Sequence, residues 1–214
     1  MFYFYINYNM EQIFISLGLG CQVATQINDV GFRQFSLPFD WVVPYSGVSS
    51  IIKNNFCNYI PNGIFTNSNN DSHPVSLETH TIFPHNKFPQ DTEKMKRRIN
   101  RFIDLLNSTD KELIFIKRGH MDHHHNAECL MKYNWNICND IDECKEIFIF
   151  LKNKYPNLKF KIILLLLCSK CFDVNTNYIC ENIEIHNVSN ANTSFQEKDL
   201  IAQNKLNDIL LKFK

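Results

Sequence analysis

Cys21 occupies a position that suits a reactive thiol. It follows an apolar run over residues 13–17, which predicts a buried strand, and a turn that contains Gly18 and Gly20. A helix is predicted to begin at Cys21 itself. The unpaired N–H groups and the positive dipole end of a helix start favour the thiolate, which is the nucleophilic form of cysteine. The spacing therefore indicates nucleophilic catalysis at Cys21.

Two other interpretations of this segment stay open. A strand, a glycine turn and a helix also build phosphate-binding loops, in which small residues let the backbone approach an anion. Free cysteine is also among the most buried residue types, so Cys21 could serve packing alone. If the thiol is catalytic, the backbone N–H groups of Gly20, Cys21 and Gln22 are the predicted donors to a developing oxyanion.

Several segments beyond Cys21 resemble a known family. They are SLGLGCQVATQI (16–27), SLPFDW (36–41), FPH (83–85) and EKMKRRINRFIDLL (93–106). Together they are similar to the family known as putative papain-like cysteine peptidases, which are uncharacterised proteins of bacteria and large DNA viruses. The resemblance covers residues 13 to about 118. It implies a cysteine hydrolase that transfers an acyl group, with a peptide or a small amide or ester as substrate.

The resemblance also implies roles for individual residues. Cys21 would be the nucleophile and His85 the base, with Asp40 and Trp41 as further parts of the site. Asn86 follows His85 where the family pattern has an acidic residue, so the carboxylate next to the base is absent. Asp40 could orient a histidine, or it could bond nearby backbone N–H groups while Trp41 fills the core.

Two other histidines are candidate bases. His80 is the second choice after His85, and His120 is the third because it follows a predicted strand end. His120 also begins a histidine-rich stretch over residues 120–125, which could bind zinc or nickel. Consecutive histidines in a loop point in different directions, so the sequence favours a solvated loop there. Residues 168–171 have C-x-x-C spacing without a second pair, and no metal or cofactor is predicted.

Basic residues supply a rival hypothesis. Arg97 and Arg101 lie one turn apart on a predicted helix, and Arg118 ends a predicted strand. If these side chains face the glycine turn, the pocket suits an anionic substrate. The chain would then be an anion- or nucleotide-handling protein similar to a transferase. A second alternative is a non-catalytic viral protein that interacts with host proteins.

The apolar pattern predicts an α/β fold. Buried strands are predicted at residues 13–19, 112–118, 160–169 and 183–188, and helices at 21–30, 91–106, 140–154 and 198–213. This alternation predicts a sandwich with a mostly parallel central sheet and helices on both faces. Residues 1–214 are taken as one domain, and the Asn-rich stretch 54–80 is predicted to be a long irregular loop or a set of irregular strands.

Composition limits the possible partners and compartment. Lysine plus arginine and aspartate plus glutamate each number 22, so no global charge predicts nucleic-acid binding. No secretory signal is visible, and no apolar run reaches the roughly 18 residues of a membrane span. The eight cysteines are unevenly spaced, which predicts free thiols and a reducing cytoplasm, the host cytoplasm for a viral protein. The oligomeric state is left open.

Overall fold

The computed structural model describes residues 12–120, 127–167, 179–180, 182–188 and 195–214. The strands in these ranges are β1 (Gln12–Ser16), β2 (Val43–Pro44), β3 (Gly63–Thr66), β4 (Ser72–Ser76), β5 (Thr81–Ile82), β6 (Glu112–Arg118), β7 (Phe160–Leu166), β8 (Ile179–Cys180) and β9 (Ile183–Asn187). The helices are α1 (Gln22–Asp29), α2 (Ser49–Lys53), α3 (Thr92–Ser108), α4 (Ala127–Tyr133), α5 (Asp140–Lys154) and α6 (Phe195–Leu211).

The central sheet has the strand order β1-β6-β7-β9-β8. β1, β6, β7 and β9 are parallel, and β8 pairs with β9 in the antiparallel direction. The four parallel strands correspond to the four predicted apolar runs. Almost every residue of β6 and β7 is buried, as expected for strands that are covered on both faces.

Helices cover both faces of this sheet. On one face, Val23 and Ile27 of α1 and Leu206 of α6 pack with Ile114 of β6. On the other face, α3 and α5 pack on the strands in a larger core. That core includes Ile99, Phe102, Leu106, Ile147 and Leu151 from the helices and Ile15, Phe115, Ile162 and Leu164 from the strands. The predicted parallel sheet with helices on both faces is therefore present.

A second sheet differs from the prediction for residues 54–80. It is antiparallel, has the order β2-β5-β4-β3, and includes two regularly paired strands from the stretch predicted to be a long irregular loop or irregular strands. The Asn-rich residues form the connection between β3 and β4. Asn67 accepts from the N–H groups of Asn69 and Asp71, and Asn70 has a φ of 65°. Asparagine tolerates this left-handed conformation, so these residues close a hairpin.

Some predicted features lie outside the described residues. They are the histidines at 123–125 and the C-x-x-C pair at 168–171. Within the described ranges, none of the helices combines the length and apolar character required to cross a bilayer.

Candidate active site

The turn before Cys21 is built from three successive residues with positive φ. Gly18, Leu19 and Gly20 have φ values of 85°, 67° and 100°. A Cβ on Gly18 would lie 2.9 Å from Cδ of Pro44, so only glycine fits against that ring. The Gly20 N–H donates to the carbonyl of Val42 at 2.9 Å. The turn is thus held against the segment that leads into β2.

Cys21 is the residue that immediately precedes α1. It is half-buried, and its side chain makes no capping hydrogen bond to the helix. The first N–H groups of an α-helix have no acceptor within that helix, so the thiol lies beside a partial positive charge. One predicted oxyanion donor must be corrected. The Gly20 N–H is bound to Val42, which leaves the N–H groups of Cys21 and Gln22 as candidates.

We expect Gly18→Ala to destabilise the fold more than Gly31→Ala. The two glycines have similar φ values of 85° and 82°, but a Cβ on Gly31 would meet nothing within 4 Å. Gly31→Ala should cost about 1 kcal/mol for the left-handed backbone, and Gly18→Ala about 2–4 kcal/mol because the clash with Pro44 is added. Urea denaturation measures both values. Equal costs would show that Pro44 moves aside freely.

Arg118 lies next to the cysteine turn. Ser16 at the end of β1 pairs with Ile116 of β6, so both strands deliver their following residues to the same edge of the sheet. Arg118 is buried and forms an ion pair with Asp199 of α6. Burial lowers the pKa of Arg118, while the negative charges of Asp199 and of a Cys21 thiolate oppose that change. A cation is therefore within electrostatic reach of the thiol.

The two predicted arginines of α3 have different surroundings. Arg101 donates to the carbonyl of Ser36 at 2.6 Å, and its guanidinium lies 5.2 Å from the centre of the Phe35 ring. Arg97 is exposed. The described contacts of Arg101 therefore hold the loop before residues 38–41, which we call the PFDW segment. A substrate role for either arginine stays a prediction.

Asp40 is buried within its own loop. Its carboxylate accepts from Arg33 at 2.7 Å and from the backbone N–H of Leu37 at 2.9 Å. Burial raises the pKa of Asp40 despite these bonds. Arg33 also lies over the ring of Trp41, 5.2 Å from its centre. These contacts fit the alternative in which the PFDW segment has a structural role behind the cysteine turn.

The three candidate bases have different partners. His85 is exposed and packs edge-on against Trp41, with 6.0 Å between ring centres. His80 binds Oγ of Ser46 through Nδ1 at 2.5 Å and stacks on Trp135. Partial burial lowers the pKa of His80. The described contacts of His80 therefore lie beside the antiparallel sheet, and the described contact of His85 is with the PFDW segment.

The third candidate base, His120, lies beside a buried carboxylate. It follows β6 and is buried, with 4% of its surface exposed. Nδ1 lies 2.9 Å from Oδ1 of Asp140, and its backbone N–H donates to Oδ2 of the same carboxylate at 2.7 Å. Lys117 Nζ lies 3.3 Å from the same Oδ1. Among the three histidines, His120 is the one with a carboxylate among its described partners.

Sequence reasoning missed Asp140 and Lys117 as parts of the site. Asp140 lies in the acidic first turn of α5, which is an ordinary place for a carboxylate at a helix start. Lys117 could have been singled out from the sequence, because it is a charged residue inside a strand that is predicted to be buried on both faces. A buried ammonium needs a carboxylate, so the sequence indicates that Lys117 has an acidic partner, and the fold identifies that partner as Asp140.

Comparison with known proteins places the chain among related sequences. The model of a family described as putative papain-like cysteine peptidase matches residues 12–170. An uncharacterized protein of Acanthamoeba polyphaga mimivirus is 32% identical over an alignment that covers 50% of this chain and 61% of that protein. The match thus spans less than two thirds of the length of this curated relative. No solved structure matches the chain.

Proposed function

The chain belongs to the family described as putative papain-like cysteine peptidases, and from that premise we propose that it is a cysteine hydrolase with Cys21 as its nucleophile. The proposed substrate is a peptide or a small amide or ester. The observation that carries the proposal is the pair formed by His120 and Asp140 beyond the end of β6, at the edge of the sheet where the Cys21 turn follows β1. A nucleophile, a base and a group that orients the base are the parts that such chemistry requires.

Asp140 would orient His120. Burial alone would raise the pKa of Asp140, but Lys117 and the hydrogen bonds from His120 lower it to about 2. The carboxylate is therefore ionised at neutral pH and accepts a hydrogen bond from the N–H at Nδ1 of His120. This tautomer leaves Nε2 as the nitrogen that can receive a proton.

The proposed reaction proceeds in two stages. His120 Nε2 takes the proton of Cys21, and the sulfur forms a bond to the acyl carbon while the N–H groups of Cys21 and Gln22 face the oxyanion. The leaving amine or alcohol takes the proton from His120 as its bond to the acyl carbon breaks. A water molecule then gives a proton to His120 and attacks the thioester carbon. The C–S bond breaks, His120 returns the proton to the sulfur, and the acid is released with the thiol of Cys21 restored.

The contact with Asp140 favours His120 over His85 as the base. The resemblance points to His85, and its ring lies near Trp41, whose neighbour Val42 holds the cysteine turn. The described contacts of His85 do not include a carboxylate. His85 therefore remains the competing choice, and an experiment can determine which of the two histidines is the base.

The test is alkylation of Cys21 by iodoacetamide, with peptide mapping and the other seven cysteines as internal controls. We expect Cys21 to react about tenfold faster than the exposed Cys57, because a helix start and a nearby base favour the thiolate. His120→Asn and Asp140→Asn should remove most of this advantage, whereas His85→Asn should keep it. Circular dichroism of each variant checks that it is folded.

Two outcomes would count against this assignment. If Cys21 reacts no faster than Cys57, the thiol is not activated and the hydrolase proposal fails. If His85→Asn slows the reaction while folded Asp140→Asn does not, the base is His85.

The position of Arg118 favours one rival function. Its charge lies near the cysteine turn, as an anion-binding site would require. Asp199 already neutralises that charge, which is why the hydrolase is preferred. If phosphate raises the melting temperature of the protein and Cys21→Ser leaves this effect intact, the anion-handling alternative gains support.

A further inference from the structure

A second thiol lies beside the His120–Asp140 pair. Cys138 precedes α5, is half-buried, and its N–H donates to the carbonyl of Tyr45 at 3.0 Å. One potential ligand atom from each of His120, Cys138 and Asp140 lies within 4.8 Å of the other two. The proposed hydrolysis uses His120 and Asp140 but gives no role to Cys138.

Cys138 is poorly suited to be the nucleophile of this site. Burial raises the pKa of its thiol to about 12, although Lys117 acts in the opposite direction. Glu143 and Asp140 also disfavour the thiolate because they are negative. The thiol therefore stays protonated unless a strong positive charge is placed next to it.

The charges around Cys138 favour the binding of such a cation. One ammonium, Lys117, and two carboxylates, Asp140 and Glu143, act on Cys138, so their sum is one negative charge. Ionisation of Cys138 would make the sum two negative charges. A divalent cation would balance this total, and metal binding commonly deprotonates a thiol.

We propose that His120, Cys138 and Asp140 form a binding site for a divalent metal cation of borderline softness, of which Zn²⁺ is the typical example. One imidazole, one thiolate and one carboxylate are donors that Zn²⁺ accepts. Zinc–nitrogen and zinc–sulfur bonds of about 2.0–2.3 Å place tetrahedral ligands roughly 3–4 Å apart. Each donor atom already lies within 4.8 Å of the other two, so small side-chain adjustments bring the set to these separations.

Lys117 makes the site one of moderate affinity. Its ammonium lies 3.3 Å from Oδ1 of Asp140 and repels an incoming cation. Such a site suits reversible occupation better than a permanent structural metal.

Metal binding would also stop the proposed reaction. Whichever nitrogen of His120 binds the metal, the neutral imidazole no longer has a free lone pair for the proton of Cys21. This part of the inference depends on the proposed function, whereas the binding site itself does not. Zinc would then act as a reversible inhibitor of the hydrolase.

Cobalt(II) provides a direct test of binding, because a thiolate ligand produces a sulfur-to-cobalt charge-transfer band and histidine ligands alone do not. Titration of the reduced full-length chain with cobalt(II) should produce this band. Cys138→Ser should abolish it. Cys21→Ser and the double variant Cys168→Ser with Cys171→Ser should retain it, and added Zn²⁺ should remove it by displacing cobalt.

Absence of the band in the wild-type chain would overturn the proposal, as would its persistence in Cys138→Ser. Loss of the band in the double variant alone would assign the metal to the C-x-x-C pair instead.

The link to catalysis has a separate readout. Zn²⁺ should slow alkylation of Cys21 in the wild-type chain and have no effect in Cys138→Ser, since Cys138 takes no part in the proposed reaction. A cobalt band without protection of Cys21 would overturn the inhibition and leave the metal site standing. An unreactive Cys21 in the absence of metal would instead contradict the proposed function.

Discussion

Replacement of Lys117 by methionine is expected to lower the free energy of unfolding by about 3–5 kcal/mol, because it leaves a buried carboxylate without its ammonium partner. Lys117 is 1% exposed in β6. Burial alone would lower its pKa, but Asp140 and other nearby negative groups raise the pKa well above the usual range for lysine. The change can be measured by urea denaturation at neutral pH.

Two variants serve as controls for this prediction. Lys161 is a lysine of the neighbouring strand β7 that pairs with Glu184 but is about one third exposed, so Lys161→Met should cost less than about 1 kcal/mol. Lys117→Met combined with Asp140→Asn should recover part of the loss, because both charges are then absent. A double variant that loses the full sum of the two single effects would contradict the pairing.

Replacement of Glu143 by alanine is expected to cost about 3–5 kcal/mol. The carboxylate is buried and accepts from the N–H groups of Val48 and Ser49 at 2.5 and 2.7 Å, and from Oγ of Ser49 at 3.0 Å. It thereby joins α5 to the first turn of α2. Alanine would leave two backbone donors in the interior without an acceptor, and thermal or urea denaturation would register the loss.

Glu146 provides a matched control one turn along the same helix. It also accepts from Oγ of Ser49, at 2.9 Å, and it pairs with Lys53, but its side chain is 54% exposed. Glu146→Ala should therefore cost less than about 1 kcal/mol. Similar losses for the two variants would mean that burial of Glu143 contributes nothing to stability.

The fold could be predicted from the sequence where the apolar pattern is continuous. The strands that became β1, β6, β7 and β9 are runs of buried residues, and parallel pairing follows from the helices between them. The antiparallel sheet could not be predicted in the same way. β2 and β5 have two residues each, and β3 and β4 are separated by polar turn residues that are typical of loops.

The candidate site could be predicted only in part. The glycine turn and Cys21 are local in sequence, so their chemistry is visible without a structure. The Asp140 carboxylate comes from a different strand-helix unit, and only the folded chain brings it to His120. Gly20 shows the converse limit, because its N–H, which was predicted from the sequence to donate to an oxyanion, donates to the carbonyl of Val42, a residue outside the turn.

The cysteine turn and His120, the two parts of the proposed site, are positioned by contacts between residues that differ in their separation along the chain. The cysteine turn is held by Val42 and Pro44, which follow it closely along the chain. His120 reaches the same edge only after β1 and β6 pair, a contact that joins residues such as Gln12 and Glu112, 100 positions apart. Closing the longer loop costs more entropy, so this pairing is expected to form later during folding. A partly folded chain would then carry the proposed nucleophile without the proposed base, and the proposed site would be assembled only when the central sheet is complete.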